Sequence, residues 1–150
     1  MKILVDGDSC PVKEAIVSIA KEKKIDVVFV VSTAAYFDRG WNVQKVLVDS
    51  LPQAVDIAIV NRVEAGDVVV TQDYGLASLV LAKKGKALSP RGYIFQENNI
   101  DRLLERRHLH YEARKAGLRM KGPKKYSEKD KKRFWKNFIY LIDEVRSLEE

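Results

Sequence analysis

Lys2-Ile3-Leu4-Val5-Asp6-Gly7-Asp8 and Asp67-Val68-Val69-Val70-Thr71-Gln72-Asp73 are the two stretches that decide the fold. Each is a short apolar run, β-branched or aliphatic throughout, that stops at an acid. Runs of this length without polar alternation are typical of strands covered on both faces. Residues 26–31 (Asp-Val-Val-Phe-Val-Val) make a second such run, and 45–48 (Lys-Val-Leu-Val) a third. Between them the periodicity changes. Val12, Ala15, Ile16, Ile19 and Ala20 recur at helical spacing behind Pro11, whose missing N–H costs least in a first turn. Ser50-Leu-Pro-Gln53 has capping-box spacing and opens a predicted helix to about Val63, and a third helix is expected over 75–84, closed by Gly85. A fifth strand is expected over 86–88. Strand and helix alternate, so the expected fold class is α/β, with a mainly parallel sheet and helices on both faces over roughly residues 1–95. Beyond Ser89-Pro-Arg-Gly92 the chain turns helical, over about 100–115 and 127–148, as a C-terminal helical extension of the same single domain, 1–150.

The 150 residues, 46% of them hydrophobic, are enough for one core without disulfides, and Cys10 is the single cysteine. No apolar stretch approaches the roughly 20 residues of a membrane span. The N-terminus enters a strand without a signal-peptide pattern, and a cytoplasmic protein is expected. The net charge of +6 is unevenly placed: residues 1–100 carry 12 Lys+Arg against 12 Asp+Glu, and residues 101–150 carry 15 against 9. A concentrated basic surface suits a polyanion, so RNA is the expected partner and DNA the second candidate.

The acids that end the strands are the candidate chemistry. Asp6 should stand at the carboxyl end of the first strand, where open α/β sheets bind ligands. Asp73 follows the fourth strand in the same way. Asp56 interrupts Ala54-Val-Asp-Ile-Ala-Ile-Val60, where an unpaired carboxylate is costly and no basic residue lies one helical turn away. With Asp8 these acids make an all-oxygen donor set, suited to Mg²⁺ or Mn²⁺ rather than zinc. Ser9, Ser32 and Thr71 are candidate hydroxyl contacts. The same acids have ordinary structural uses: Asp8 as a turn or N-cap residue, Asp67 as a strand start, Asp73 as an N-cap. His108 and His110, two apart on a helix, point in different directions and are read as surface residues.

In the last helix Phe134, Phe138, Leu141 and Val145 should pack on the core, leaving Lys129, Lys132 and Lys136 on the opposite face. Lys124 and Lys125 precede that stripe, and Arg91, Arg107 and Arg114, with Arg102, Arg106 and Arg119, thicken the basic character of the segment before it. These are candidate nucleic-acid contacts, and Trp135 and Tyr126 candidate stacking residues beside them.

With Asp-Gly-Asp-Ser-Cys-Pro at 6–11, Asp56 before Ile-Ala-Ile-Val, Glu64-Ala-Gly-Asp-Val-Val-Val-Thr-Gln-Asp73, Leu76-Ala77, Ser89-Pro-Arg-Gly92 and Gly122-Pro123, the chain resembles the YaiI/YqxD family over nearly its whole length. That bacterial family is grouped with PIN-like domains, many of them Mg²⁺- or Mn²⁺-dependent ribonucleases. The resemblance implies a PIN-like three-layer fold and places family-type acids at Asp6, Asp56 and Asp73, with Asp8 as an addition; the last helices lie outside a minimal PIN-like core. A metal-dependent nuclease acting on RNA, with Asp6, Asp8, Asp56 and Asp73 as catalytic metal ligands, is therefore the leading expectation. A non-catalytic nucleic-acid-binding or adaptor module is the alternative. A third reading is a haloacid-dehalogenase-like phosphatase, with Asp6 as nucleophile, Asp8 as general acid, Ser32 or Thr33 as second motif and Lys83 or Lys84 behind them.

Overall fold

The computed structural model describes residues 1–8, 10–32, 42–51, 53–118 and 124–149. Ser9, Thr33, Arg119, Gly122 and Pro123, named above, lie outside them. Among the described residues the order is β1 (Lys2–Asp6), α1 (Lys13–Lys23), β2 (Asp26–Val31), β3 (Val43–Leu47), α2 (Ala54–Arg62), β4 (Val68–Val70), α3 (Tyr74–Ala82), β5 (Lys86–Leu88), β6 (Ile94–Phe95), α4 (Glu97–Lys115) and α5 (Glu128–Glu149). One sheet runs β3-β2-β1-β4-β5-β6; the first five strands are parallel and β6 returns antiparallel on β5. The fold is α/β, with a six-stranded, mostly parallel sheet.

Period-two alternation divides the sheet residues between two cores. Ile3, Val5, Val27, Phe29, Val68 and Val70 pack against Ile16 and Ile19 of α1 and Phe134, Phe138, Leu141 and Ile142 of α5. Leu4, Val28, Val30 and Val69 face the other way, onto Ala58 and Ile59 of α2, Leu76, Ala77 and Val80 of α3, and Ile100 of α4. Every one of these side chains is at least 91% buried, and each contributes roughly 1.5–3 kcal/mol of transfer free energy if large. The apolar stripe expected in the last helix is thus the stripe that docks, and three layers result.

α5 runs antiparallel to the parallel strands. Its far end meets the amino-terminal edge of the sheet, where Glu144 pairs with Lys86 at 3.2 Å and Glu149 lies 3.9 Å from the Met1 amino group. Its start meets the turn after β5 at the carboxyl edge. There Gly92, with φ +90°, lies so close to α5 that an added Cβ would stand 2.4 Å from Phe134 N. Asn137 Nδ2 donates to Gly92 O at 2.7 Å and Arg133 to Arg91 O at 3.1 Å, bolting the turn to the helix.

Two local expectations are corrected. The capping box at Ser50 does not form: α2 starts at Ala54 behind Gln53, which has φ 67° and no side-chain cap, while Ser50 Oγ donates to Ser32 O at 3.2 Å. A carbonyl at the end of β2 outcompetes the local cap. The two-residue strand β6 has no counterpart in the periodicity, being too short to carry any.

Candidate functional site

The strand order reverses direction between β1 and β4, since β2 and β3 lie on one side of β1 while β4 and β5 lie on the other. In open α/β sheets this switch point leaves a crevice outside the carboxyl ends of the two strands. Ile3, Leu4 and Val5 pair in register with Val68, Val69 and Val70, so the residues just beyond them, Asp6 and Thr71, come out side by side. Thr71 Oγ1 donates to Asp6 Oδ2 at 3.0 Å and accepts from the Asp73 N–H at 3.0 Å. The Asp73 side chain then caps α3, accepting from Leu76 N at 3.1 Å. Asp73 is therefore both the N-cap that local chemistry predicts and a member of the acidic edge.

Asp56 enters from the first turn of α2. An open cleft of about 1070 Å³ is lined by Asp6, Asp8, Asp56 and Asp73, with Arg107 of α4 and an apolar wall that includes Leu51, Ile57 and Leu79. Asp56 is half-buried on this lip rather than sunk in the core, because α2 turns Ala58 and Ile59 inward and leaves Ile57 in solvent. Its nearest charged influence comes from another element, the Asp73 carboxylate at the start of α3. Burial, then the charge and hydrogen bond of Asp73, push the Asp56 carboxyl up to about 6. Burial works against ionisation of Asp73 as well. The Leu76 amide, the Asp56 hydrogen bond and the Arg107 charge outweigh it, and hold Asp73 below the usual carboxylate range. At neutral pH the proton of the pair, when present, therefore sits on Asp56 and is donated to Asp73. Burial also raises the Asp6 carboxyl, opposed by the Thr71 hydrogen bond and reinforced by the charges of Asp8 and Asp73.

Asp8 stands apart in role. Gly7 passes so close to β2 that a Cβ there would meet Val31 Cγ1 at 2.6 Å. This close approach brings Asp8 to the end of β2, where its oxygens accept from Ser32 N at 2.8 Å and Ser32 Oγ at 2.5 Å. Asp67 lies at the opposite edge, accepting from Lys2 N, Lys2 Nζ and Glu64 N, which is the strand-start use. Neither histidine lines the cleft. Among the described residues no three His, Cys, Asp or Glu side chains already converge as a metal-ligand set.

The basic residues divide three ways. Arg91 is a brace: it pairs with Asp130 at 2.8 Å, donates to the Lys124 carbonyl and stacks over Tyr126. Tyr126, whose hydroxyl donates to Pro90 O at 2.8 Å, belongs to the same brace. Arg107 reaches Asp73 Oδ1 at 3.5 Å, inside the cleft. Arg114, Lys124, Lys125, Lys129, Lys132 and Lys136 are exposed, with Trp135 partly so. Because α5 starts at the carboxyl edge, Lys124, Lys125 and Lys129 stand at the same edge of the sheet as the acids. The placement of Arg107 had one sequence signal: Ile100, Leu103, Leu104 and Arg107 form a single helical stripe, so an arginine occupies a position whose neighbours all pack inward.

Residues 4–144 match the model of the family described as "Uncharacterized BCR, YaiI/YqxD family". Relatives include a UPF0178 protein of Clostridium kluyveri, 44% identical over 142 residues (95% of this chain, 93% of the relative). Another, from Clostridium tetani, is 42% identical over 146 residues (97% and 99%), and one from Enterococcus faecalis is 44% identical over 144 residues (95% and 97%). No solved structure matches the chain. The match runs from within β1 to the last turns of α5 and so spans the segments that build the acidic edge; the chain belongs to the YaiI/YqxD family.

Proposed function

We infer that the acidic cleft is the site of a divalent-metal-dependent nuclease acting on RNA, within a PIN-like arrangement of the α/β fold. The observation that carries this reading is that Asp6, Asp73 and Asp56, brought from three separate elements, line one cleft at the sheet's switch point. Carboxylates that repel one another are costly to assemble, and a cation is the usual compensation.

The donor set fits Mg²⁺ or Mn²⁺, being all oxygen and lacking thiols or histidines. Asp6, Asp56 and Asp73 would hold the ion, with Asp8 beside them, after Asp56 gives up the proton it shares with Asp73. Such an ion, when bound, polarises a phosphoryl oxygen and acidifies a water. The chain's own residues prepare for it. Thr71 orients Asp6, the Leu76 amide fixes Asp73, and Ser32 fixes Asp8. The exposed lysines at the start of α5 stand at the same edge of the sheet as the acids, a basic surface that supports RNA as substrate.

The test is cleavage of single-stranded and structured RNA with Mg²⁺ or Mn²⁺. Asp6→Asn and Asp73→Asn should each lower the rate by about 100-fold or more, the consequence of losing several kcal/mol of charge stabilisation. A second reading is a nucleic-acid-binding module without catalysis, favoured by the absence, among the described residues, of an already converged ligand set. RNA binding that survives both Asp→Asn changes, with no cleavage by the unaltered protein, selects it.

A further inference from the structure

We propose that Arg107 is a stand-in cation: it holds the Asp73 carboxylate while no divalent ion is bound and turns to a substrate phosphate once an ion takes its place. This rests on the metal-dependent nuclease reading of the cleft. Among the described residues lining the cleft, Arg107 is the one basic side chain, against four carboxylates. Its position follows from packing. Ile100, Leu103 and Leu104 seat the first half of α4 on the core, and Arg107, next on that stripe, is carried to the N-terminus of α3.

The contact is built to be exchanged. At 3.5 Å, with the arginine side chain 60% exposed, it is long and wet, and such pairs hold weakly. The Asp73 carboxylate does not depend on it, because the Leu76 amide holds the same oxygen at 3.1 Å. A departing guanidinium therefore leaves the carboxylate in place. A divalent ion on the same carboxylates repels the guanidinium, and the freed group has the planar donor fork that matches a phosphate. The exposed lysines of α5 do not line the cleft, so among the described residues Arg107 alone connects ion binding to backbone binding at this site.

The experiment measures two affinities in Arg107→Ala and Arg107→Gln against the unaltered protein: Mn²⁺ alone by calorimetry, and a fluorescein-labelled phosphorothioate oligouridine by anisotropy, with Mn²⁺ and with EDTA. Removing a positive charge from beside the ion should tighten Mn²⁺ binding roughly fivefold to tenfold. The oligouridine should bind about tenfold more weakly in Mn²⁺, from loss of a charge-assisted phosphate contact, and nearly unchanged in EDTA. Arg107→Lys should keep the Mn²⁺ affinity of the unaltered protein. A purely structural arginine would lower both affinities together. Mn²⁺ binding that is equal or weaker in both neutral variants, or an oligouridine loss of the same size in EDTA, overturns the inference alone. No Mn²⁺ binding by the unaltered protein overturns it together with the metal reading.

Discussion

Thr71 Oγ1 donates its proton to Asp6 Oδ2 at 3.0 Å and accepts the Asp73 N–H at the same distance, so one hydroxyl joins the two strand ends that define the acidic edge. Thr71 is 1% exposed, so water cannot easily replace it. Thr71→Val preserves shape and removes both bonds. It should cost about 1–3 kcal/mol in urea unfolding, the penalty of leaving a partly buried acceptor and a backbone donor unmatched. A change below a few tenths of a kcal/mol would show the bridge to be dispensable.

Asp56 supplies a pH dependence with a definite sign. Its folded pKa, about 6, lies above the ordinary 3.8, so the folded chain binds this proton more tightly than the unfolded chain does. Stability is therefore unaffected by this group below 3.8, falls as pH rises from there, and carries the full penalty above about 6. Asp56→Asn removes the penalty while keeping a donor for Asp73. It should match the unaltered protein near about pH 3 and exceed it near about pH 7 by about 1 kcal/mol, the bare shift being discounted for solvent screening of a half-exposed group. The same stability difference at both pH values would rule out the shared proton as its origin.

Gly92 is a steric requirement. With φ +90° and no room for a Cβ against the backbone of Arg133 and Phe134, Gly92→Ala must either shift the turn or lift α5. A loss of several kcal/mol is expected. Chemical denaturation reads the loss, and near-ultraviolet circular dichroism of Trp135 reports whether the helix has moved. A variant as stable as the parent would mean that the turn has another seat.

Cys10 should be inert. Burial pushes the thiol up to about 11, with Val12 and Lys13 only partly opposing it, so at about pH 8 roughly one chain in a thousand carries the thiolate. Iodoacetamide should label the folded protein slowly, faster as pH approaches 11, and at the rate of a free thiol once the chain is unfolded. Rapid labelling at about pH 8 without unfolding would refute the assignment of Cys10 to the core.

Much of this architecture was readable in the sequence, because the signals are local. Uninterrupted Val and Ile runs announced the buried parallel strands, and the matched endings of residues 2–6 and 68–73 announced that Asp6 and Asp73 share an edge. Sequence-distant pairs decided what was missed. Ser50 has the spacing of a cap, yet its hydroxyl goes to Ser32, 18 residues away. Arg91 reads as a phosphate contact until Asp130, 39 residues on, claims it. Arg107 and Asp73 are 34 residues apart, and only the apolar stripe ahead of Arg107 hints that it faces the cleft. Asp56 was singled out because its segment looks buried; the helix that carries it is amphipathic, and the acid sits on the cleft rather than in the core.

The seating of α5 on β1 has a consequence for how the protein is made. β1 leaves the ribosome long before residues 134–145 do, yet Ile3, Val5, Val27, Phe29, Val68 and Val70 share a core with Phe134, Phe138 and Leu141. A nascent chain holding all five parallel strands still lacks the helix that, together with α1, covers one sheet face. Vectorial synthesis therefore leaves an oily plate bare until residues 134–145 emerge, and partly folded chains with such exposed surface are prone to associate. The turn after β5 is bolted down only when α5 arrives, so this helix acts as the lock on a structure begun at β1.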